Sequence, residues 1–558
     1  MSDKSANGGA PASGQPAPME QALAHLRAGR FDESREICET ILASDPDNID
    51  ALYALGWVAF GRKDLKTALG CFQQVVKLNP RHARAHNNIG TVLMNFGDAA
   101  GAGRHLEAAV AADPNFTEAY NNLGAVRLAQ NEPNAARTAF EKAAALAPND
   151  PGTLNNLAAV KLRLGNVDEA IADFQKLVSL KPDFADAHNN LANALRRKGR
   201  IVEALAAIER GLEVSPKAPE LLANMGVMQY ETGDYVAALA DYDRALEAAP
   251  SHRRAAFLRA FPLLALGRMG EGWAAYLNRP NVIKIEGRLH RTPFAADLGG
   301  TVIVLRSEGG ANDDLEFLRF VPELVRRGAE VRIGAASAAA AVALTLDGVT
   351  GIAPEGPGGA PGVLEVALGD LPYLLGIETT ADLPPPAPFR PDESRTDAIA
   401  ARLNASGRGP FTGVTWQRLA RGGATAVPLD GLAQALKGGG GTLIMLQRGA
   451  PSDMLGRLET GSGLPVADLS DMVDDMTGLL SLFTLLNRYV CIPGIGLSLR
   501  QAVGKPADIM VPAPVDYRFA GTGESSPWFP GCRLHRAALG PDWGPALGSL
   551  AAAPAADG

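Results

Sequence analysis

The stretch NNIGTVLMNFGDAAGAGRHLEAAVAADP (residues 87–114) contains each feature that recurs through the first half of this chain. It begins with two asparagines and a small residue, and it ends in a proline. Prolines occur in this phase seven times, each 34 residues after the one before, at Pro46, Pro80, Pro114, Pro148, Pro182, Pro216 and Pro250. A strict period of this length predicts an array of similar helical units that stack on one another.

Small and bulky residues follow the same period. One set of small residues is Gly56, Gly90, Gly124, Ala158, Ala192 and Gly226, and a second is Ala68, Ala102, Ala136, Ala170, Ala204 and Ala238. Bulky residues come four positions after the second set, at Phe72, Leu106, Phe140, Phe174, Ile208 and Tyr242. We expect the small residues to mark close helix approaches and the bulky ones to pack between neighbouring repeats.

This pattern resembles the tetratricopeptide repeat, in which each unit of 34 residues forms a helix, a turn and a second helix. The resemblance covers residues 18–276, and the divergent helical pair after Pro250 is expected to cap the array. The predicted fold of this half is an α-solenoid. Such solenoids offer a concave surface to an extended peptide or a partner helix.

Asparagines recur two positions before the first small residue of each repeat, at Asn88, Asn122, Asn156, Asn190 and Asn224. A shorter file runs beside them at Asn87, Asn121, Asn155 and Asn189. Asparagine side chains can pair with the backbone of any extended peptide, and the pattern resembles the asparagine ladder of the nucleocytoplasmic O-GlcNAc transferases. The alternative is that these amides bond within the array. We interpret His86 and His188 as packing residues.

The second half alternates strands with helices, as in TVIVLRSEGG (residues 301–310) followed by NDDLEFLRFVPELVRRG (312–328) and AEVRIGA (329–335). This order predicts parallel sheets. We expect a linker at residues 277–300, one lobe at 301–385, a proline-rich connection at 386–408 and a second lobe at 409–558. Ligands of open α/β folds bind at the carboxyl ends of the strands, so the cleft between the lobes is the expected site.

Several segments of this half resemble one protein family. They are LRSEGGANDDLEFLRFVPELVRRGAEV (residues 305–331), GVTW (413–416), LIMLQRG (443–449), AVGKPADIMVP (502–512) and SPWFPGCRLHR (526–536). Their order is similar to that in bacterial tetratricopeptide proteins with a heptosyltransferase-like GT-B glycosyltransferase domain, among them enzymes that modify flagellin. The resemblance implies an α/β two-lobed GT-B-like domain and a nucleotide-sugar donor.

The donor phosphates are expected at VCIPGIGLSLRQAVGKP (residues 490–506), where Gly494 and Gly496 open a helix whose first N–H groups attract anions. The family has Asp-Thr at the positions of Pro493 and Gly494 and a histidine at Ser498. This chain lacks all three. Ser498, Arg500 and Arg448 are therefore the candidate replacements for the missing donor.

Two further motifs carry predicted site residues. SEGGANDDLEF (residues 307–317) aligns with the family element that supplies a catalytic aspartate, which places Gly310 on its first glycine and Asp313 on the general base. The alternative is that Asp313 and Asp314 only cap a helix. Trp416 matches the tryptophan of the family's second lobe. The arginines after it, at positions 418 and 421, either bind phosphate or lie in a solvated loop.

Composition narrows the functional classes. The chain has 558 residues and a formal net charge of −8, so its overall charge does not attract a nucleic acid or an anionic membrane. We expect residues 1–17 to be a disordered leader, the protein to be cytoplasmic without membrane insertion, and Cys38, Cys71, Cys491 and Cys532 to be reduced thiols. No metal-ligand cluster or resident cofactor is expected.

Two functional hypotheses remain open at this point. In the first, the protein is an inverting glycosyltransferase that transfers a sugar to Ser or Thr of an acceptor held by the repeats. The resemblance suggests flagellin and a nonulosonic acid as that acceptor and sugar. In the second, the GT-B half is catalytically degenerate and the chain is an adaptor in flagellar assembly or secretion. A plain co-chaperone would leave the second half unexplained.

Overall fold

The computed structural model describes residues 17–280, 289–308, 310–354, 362–420, 423–449, 451, 453–521, 523–540 and 542–553. Nearly all of the predicted leader, residues 281–288 of the predicted linker and Arg421 lie outside these residues. The chain divides into two compact units between Lys198 and Gly199, a point inside the repeat array.

The first unit consists of helices that pack in consecutive pairs. They are α1 (Pro18–Arg27), α2 (Phe31–Ser44), α3 (Ile49–Gly61), α4 (Leu65–Leu78), α5 (Ala83–Asn95), α6 (Ala99–Ala112), α7 (Thr117–Ala129), α8 (Pro133–Leu146), α9 (Pro151–Arg163), α10 (Val167–Leu180) and α11 (Ala185–Arg197). The periodic prolines each follow the C-cap residue of the second helix of a pair, as Pro80 follows Asn79. Proline cannot continue a helix, so it ends each pair at the same point.

A second periodic feature lies in the turn inside each pair, where one residue has left-handed backbone geometry. In the first unit these residues are Gly29, Lys63, Gly97, Asn131 and Gly165. Lys63 has φ 64° and Asn131 has φ 62°, a conformation that glycine adopts without the steric penalty of a side chain. Tight turns of one geometry therefore connect the two helices of every repeat.

The small and bulky residues meet as helix neighbours, but within a repeat. A Cβ atom on Gly90 would lie 2.6 Å from Leu106 Cγ, and one on Gly124 would lie 2.6 Å from Phe140 Cε1. Gly90 and Leu106 belong to α5 and α6, the two helices of one pair. They fill the gap inside a pair, because the missing side chain on the first helix makes room there. The same bulky residues also pack between repeats, as predicted. Phe72 shares an apolar cluster with Ile89 of the next repeat, and Leu106 shares one with Val126 of the next repeat.

The second unit begins with six more helices: α12 (Ile201–Val214), α13 (Pro219–Thr232), α14 (Tyr235–Ala248), α15 (Arg253–Leu258), α16 (Ala260–Ala265) and α17 (Met269–Tyr276). The last pair is not a simple cap. Trp273 of α17 is buried, and its ring centroid lies 6.1 Å from that of Phe317 and 6.0 Å from that of Trp528. These helices diverge from the repeat pattern because their apolar residues form part of the α/β core.

The first α/β lobe contains a four-stranded parallel sheet with strand order β3-β2-β1-β4. Its elements are β1 (Val302–Arg306), α18 (Ala311–Phe317), α19 (Val321–Arg326), β2 (Glu330–Gly334), α20 (Ala340–Ala343), β3 (Val349–Ala353), β4 (Val363–Ala367) and α21 (Leu371–Leu374). The parallel order agrees with the predicted alternation of strands and helices. The predicted connection at 386–408 includes α22 (Glu393–Ser406), a helix that packs against the second lobe.

The second lobe has a six-stranded parallel sheet with the order β12-β11-β10-β5-β8-β9. Its elements are β5 (Phe411–Thr415), β6 (Gln417–Ala420), β7 (Gly423–Ala426), α23 (Leu429–Ala435), β8 (Thr442–Met445), α24 (Asp453–Ser462), β9 (Val466–Asp468), α25 (Met476–Leu485), β10 (Arg488–Cys491), α26 (Ile495–Ala502), β11 (Asp508–Val511), β12 (Arg533–Arg536) and α27 (Gly544–Ala552). Strands β6 and β7 form a separate antiparallel hairpin. The central strands β10 and β11 are buried along their whole length and are mostly apolar. Arg488 and Asp508, at their first positions, form a buried ion pair.

Candidate functional site

A cavity of about 780 Å³ lies where the two lobes meet the last repeat helices. Its floor is formed by residues at the carboxyl ends of β5, β8 and β10, including Thr415, Leu446 and Ile492. Asn312 and Asp313 of α18 contribute from the first lobe, and Tyr276 contributes from α17. Open α/β folds bind ligands at this edge of the sheet, so the position of the cavity agrees with the predicted cleft.

The start of α26 forms one wall of the cavity, and its two glycines differ in their surroundings. A side chain on Gly496 would clash with the hydroxyl of the buried Tyr489, so this glycine is required for packing. A Cβ on Gly494 would have no neighbour closer than the carbonyl oxygen of Ile492, at 4.0 Å. Gly494 therefore leaves open space in front of the leading N–H groups of α26, which have no intrahelical acceptor.

Arginine side chains add positive charge around this helix start. Arg418 lines the cavity, and its Nη1 donates to the carbonyl oxygen of Pro493 at 3.5 Å. Arg448 also lines the cavity and forms an exposed ion pair with Asp474. A guanidinium beside helix N–H groups favours a bound phosphate or carboxylate. The predicted donor residues Gly494, Gly496 and Arg448 are thus brought together, and Arg418 joins them.

Asp313 faces the cavity, whereas its neighbour Asp314 does not. The Asp313 side chain is 61% exposed, and its Oδ1 lies 3.7 Å from Arg518 Nη1. Asp314 is buried and accepts a hydrogen bond from the Ser337 hydroxyl at 2.8 Å. Gly310 is the N-cap residue of α18 and does not line the cavity. The carboxylate that alignment predicts as a base is therefore the accessible one of the pair.

Arg518 and Asp516 form a second polar group in the cavity wall, which sequence reasoning did not identify. Arg518 Nε donates to Asp516 Oδ1 at 2.9 Å, and Nη2 donates to Oδ2 at 3.0 Å. Burial alone would raise the pKa of the Asp516 carboxyl, but the Arg518 guanidinium outweighs it and lowers that pKa. The bidentate pair neutralises the charge of Arg518, whose guanidinium also lies close to Asp313.

Besides Gly310, three more predicted site residues do not line the cavity, which corrects the assignment of all four. Ser498 is buried, and its hydroxyl donates to Glu316 Oε1 at 2.5 Å. Arg500 is 1% exposed, and its guanidinium donates to backbone carbonyls, including Leu486 O at 2.9 Å and Pro506 O at 3.0 Å. Trp416 is buried in an apolar cluster of the second lobe. Ser498 and Arg500 lie on the buried face of α26 and therefore do not face a ligand at the start of that helix.

A buried ion cluster connects α17 to the first lobe beside the cavity. Arg279, which lines the cavity, donates from Nη2 to Glu308 Oε2 at 2.6 Å, and its Nη1 lies 2.6 Å from Asp370 Oδ1. Burial raises the pKa of the Glu308 carboxyl, and Arg279 opposes that rise. A side chain on Gly369 would collide with Glu308 and Arg279. Glu308 lies in a motif that alignment singled out, but no local pattern links it with Arg279 or Asp370.

The predicted ladder residues bond to one another across repeats. Asn122 Nδ2 donates to Asn87 Oδ1 at 2.9 Å, and Asn190 Nδ2 donates to Asn155 Oδ1 at 2.9 Å. Asn88 donates to the Tyr53 hydroxyl at 3.1 Å, and Asn224, in the second unit, accepts from Arg254 at 2.8 Å. These contacts support the alternative in which the amides bond within the array.

One position of this hydrogen-bond network lacks the corresponding contact. Asn156 forms no hydrogen bond within the part of the chain that the structure describes, and the buried Oδ1 of Asn121 has no partner there. The histidines have structural contacts, since Nε2 of His86 lies 3.1 Å from Pro80 O and Nε2 of His188 lies 2.9 Å from Pro182 O. Both imidazole rings therefore contact the backbone of the turn at a periodic proline and stabilise it.

Among the residues that the structure describes, no group of three or more His, Cys, Asp and Glu side chains is arranged to hold a metal ion. Among these residues no helix has the length and apolar character needed to span a membrane.

Comparisons with known proteins identify the first half. Two tetratricopeptide repeat family models match, one at residues 25–92 and the other at residues 89–151 and 155–220. The repeats are therefore tetratricopeptide repeats, as the 34-residue period predicts. This architecture binds protein partners.

Curated relatives and solved structures add more distant likenesses. The chain is 26% identical to protein FlbA of Caulobacter vibrioides over 329 residues, which cover 53% of this chain and 54% of FlbA. The chain thus spans about half the length of this relative. A tetratricopeptide repeat protein from Parabacteroides merdae matches at 18% identity and a TM-score of 0.38, covering 43% of this chain and 96% of that one. PilF of Pseudomonas aeruginosa matches at 19% identity and a TM-score of 0.33, covering 38% and 96%.

Proposed function

We propose that the chain is a protein glycosyltransferase that transfers a sugar from a nucleotide-activated donor to Ser or Thr of a protein bound by its repeats. One observation carries the proposal: a single cavity holds an open helix start, flanked by arginine, together with an accessible carboxylate from the opposite lobe. Phosphoryl leaving groups and acceptor hydroxyls need these two kinds of group. The resemblance noted from the sequence adds flagellin as the proposed acceptor and a nonulosonic acid as the proposed sugar.

The residues present divide the reaction between the two lobes. The leading N–H groups of α26 and the guanidinium of Arg418 would bind the donor phosphates and stabilise the charge that develops as the bond to the sugar breaks. Asp313 would accept the proton of the acceptor hydroxyl as that oxygen attacks the anomeric carbon. A single displacement of this kind inverts the anomeric configuration. No step requires Ser498 or Arg500, which are engaged elsewhere.

Nucleotide binding and base catalysis can be tested separately. A ligand that binds the native state raises its melting temperature, so we expect one of UDP, GDP, CMP and ADP to stabilise the second unit. Asp313→Asn should keep that shift and lower transfer by about 100-fold or more. Asp347→Asn is the matched control, because Asp347 is highly exposed and does not line the cavity. Full transfer by Asp313→Asn would exclude this residue as the base.

A second candidate function follows from the position of Ser498. Since its hydroxyl is committed to Glu316, no side chain replaces the family histidine at that position. This favours the alternative of a degenerate domain that acts as an adaptor in flagellar assembly or secretion. Intact-mass measurement of the endogenous flagellin, from cells with and without this protein, separates the two. A sugar-sized mass difference supports transfer, and equal masses support the adaptor.

A further inference from the structure

A second cavity, of about 450 Å³, lies between the last repeats and the second lobe. Val227 and Tyr230 of α13 and Leu258 of α15 line one side. The segment 512–519, which follows β11 and includes Val515, lines the other. Both sides belong to the same compact unit. Repeat helices thus form a wall of a cavity in the α/β half.

The second cavity adjoins the first. The two share wall residues, among them Phe261 of α16, Ile492 after β10 and Tyr517. Arg418 of β6, which lies beside the start of α26, also lines both. A molecule in the second cavity therefore lies beside the proposed donor phosphates, separated from them by a few side chains.

The chemistry of this second cavity differs from that of the first. Most of its lining is apolar or aromatic, and three of its residues, Pro512, Ala513 and Pro514, form a rigid wall of small apolar groups. Four charged side chains also line it, two of each sign: Arg518 and Asp516 bind each other, and Arg418 and Glu231 are the other two. A largely apolar surface with balanced charges offers few hydrogen-bonding groups to a phosphate or a polyhydroxylated sugar. It favours apolar side chains.

We infer that the second cavity is an acceptor subsite, which binds the apolar side chains that flank the reactive Ser or Thr of a polypeptide. The inference rests on the proposed function. A polypeptide is the favoured occupant because α13 is a helix of the tetratricopeptide array, an architecture that binds extended peptides. A hydroxyl held between apolar neighbours can enter the first cavity while those neighbours fill the second. The subsite thus selects acceptor segments with apolar residues around the modified hydroxyl.

Binding can be measured without knowing the sugar. Short peptides with a central Ser are prepared in two sets, one flanked by Val and Ala and the other by Asp and Lys. Each peptide carries the photoreactive residue p-benzoylphenylalanine near one end and is irradiated with the full, unsubstituted chain. We expect crosslinking of the apolar set to residues that line the second cavity, at least about tenfold above that of the charged set. Val236, which is 68% exposed on α14 outside the cavity, is the control position for substitutions.

A filling substitution gives an independent test. Val227→Trp should occupy the cavity and weaken binding of the apolar peptides by about tenfold or more, whereas Val236→Trp should not. If Val227→Trp does not fold, Val515→Phe on the opposite wall replaces it. Equal crosslinking of both peptide sets, no crosslinking, or crosslinks outside the lining of the second cavity would overturn the inference.

Failure of the two proposals can be distinguished. The nucleotide-induced rise in melting temperature tests the donor site and should be unchanged in Val227→Trp. If nucleotides bind and apolar peptides do not, the acceptor subsite is wrong and the proposed transfer activity stands. If apolar peptides bind and no nucleotide does, the cavity is a peptide site of an adaptor.

Discussion

Replacement of Arg279 by methionine should destabilise the second unit severely and in a pH-dependent manner. Arg279 is 5% exposed and carries the positive charge between Glu308 and Asp370, while its guanidinium carbon lies 4.8 Å from the Tyr276 ring centroid. Methionine retains much of the apolar stem but no charge. Removal of one partner from a buried ion pair costs about 3–5 kcal/mol, because the charge that remains is buried without compensation. Here that charge is Glu308, since Asp370 keeps Arg291, whose Nε lies 3.4 Å from its Oδ2.

The pH dependence follows from the Glu308 carboxyl. Its folded-state pKa is already raised by burial, and loss of Arg279 removes the charge that opposes the rise. A carboxyl whose pKa is higher in the folded than in the unfolded state stabilises the fold at pH values below the unfolded-state pKa, about 4.3. This stabilisation is lost as the pH rises through the folded-state pKa. The cost of Arg279→Met should therefore be full near pH 8 and smaller near pH 5.

Denaturant unfolding followed by tryptophan fluorescence measures this effect. Four of the five tryptophans, Trp273, Trp416, Trp528 and Trp543, lie in the second unit. Arg268→Met is the control, since Arg268 forms an exposed pair with Glu271, and its loss should cost less than about 1 kcal/mol. Equal, small effects of both substitutions at pH 8, or a cost that does not shrink at pH 5, would refute the buried-charge reasoning.

Three further predictions concern residues outside the cavity. Ser498→Ala should lower the free energy of unfolding by about 1–3 kcal/mol, because it removes a buried hydrogen bond to Glu316. It should leave the nucleotide-induced shift in melting temperature unchanged, and loss of that shift would show that Ser498 contributes to the donor site. Lys63→Gly should raise stability by up to about 1 kcal/mol in thermal unfolding, since it relieves left-handed backbone geometry, and a lower melting temperature would contradict this. Burial and the neighbouring His86 lower the pKa of His105, so stability should fall as pH drops below about 6.5, and melting curves of His105→Gln should be flatter there than those of wild type.

Most of the repeat half could be predicted from the sequence, because the same residue types recur at fixed positions of each repeat. A proline after each second helix ends the pair, and a small residue opposite a bulky one allows two helices to approach closely. The left-handed turn residue escaped notice, since lysine and asparagine replace glycine at positions 63 and 131. The contact of each bulky residue with the small residue of its own pair was not predicted, because the period itself does not say whether a contact lies within a pair or between pairs.

The cavity was predicted better in position than in composition. Strand order and the glycines of α26 predict a site at the carboxyl ends of the strands. Which residues of α26 face the cavity there depends on how the helix packs. Residues 497–502 are all buried, so Ser498 and Arg500 make interior contacts. Arg279 and Arg518 come from distant segments that only the folded chain brings beside Asp313. Sequence motifs cannot report such a convergence.

The incorporation of Trp273 into the α/β core has a practical consequence for dissection of this protein. A truncation at the end of the repeat pattern, near residue 276, would separate α17 from its aromatic partners and expose apolar surface on both fragments. A cut between Lys198 and Gly199 follows the division into compact units instead. Truncations for expression, and chimeras that exchange repeats between relatives, should therefore keep the last repeats with the α/β half and vary only those before Gly199.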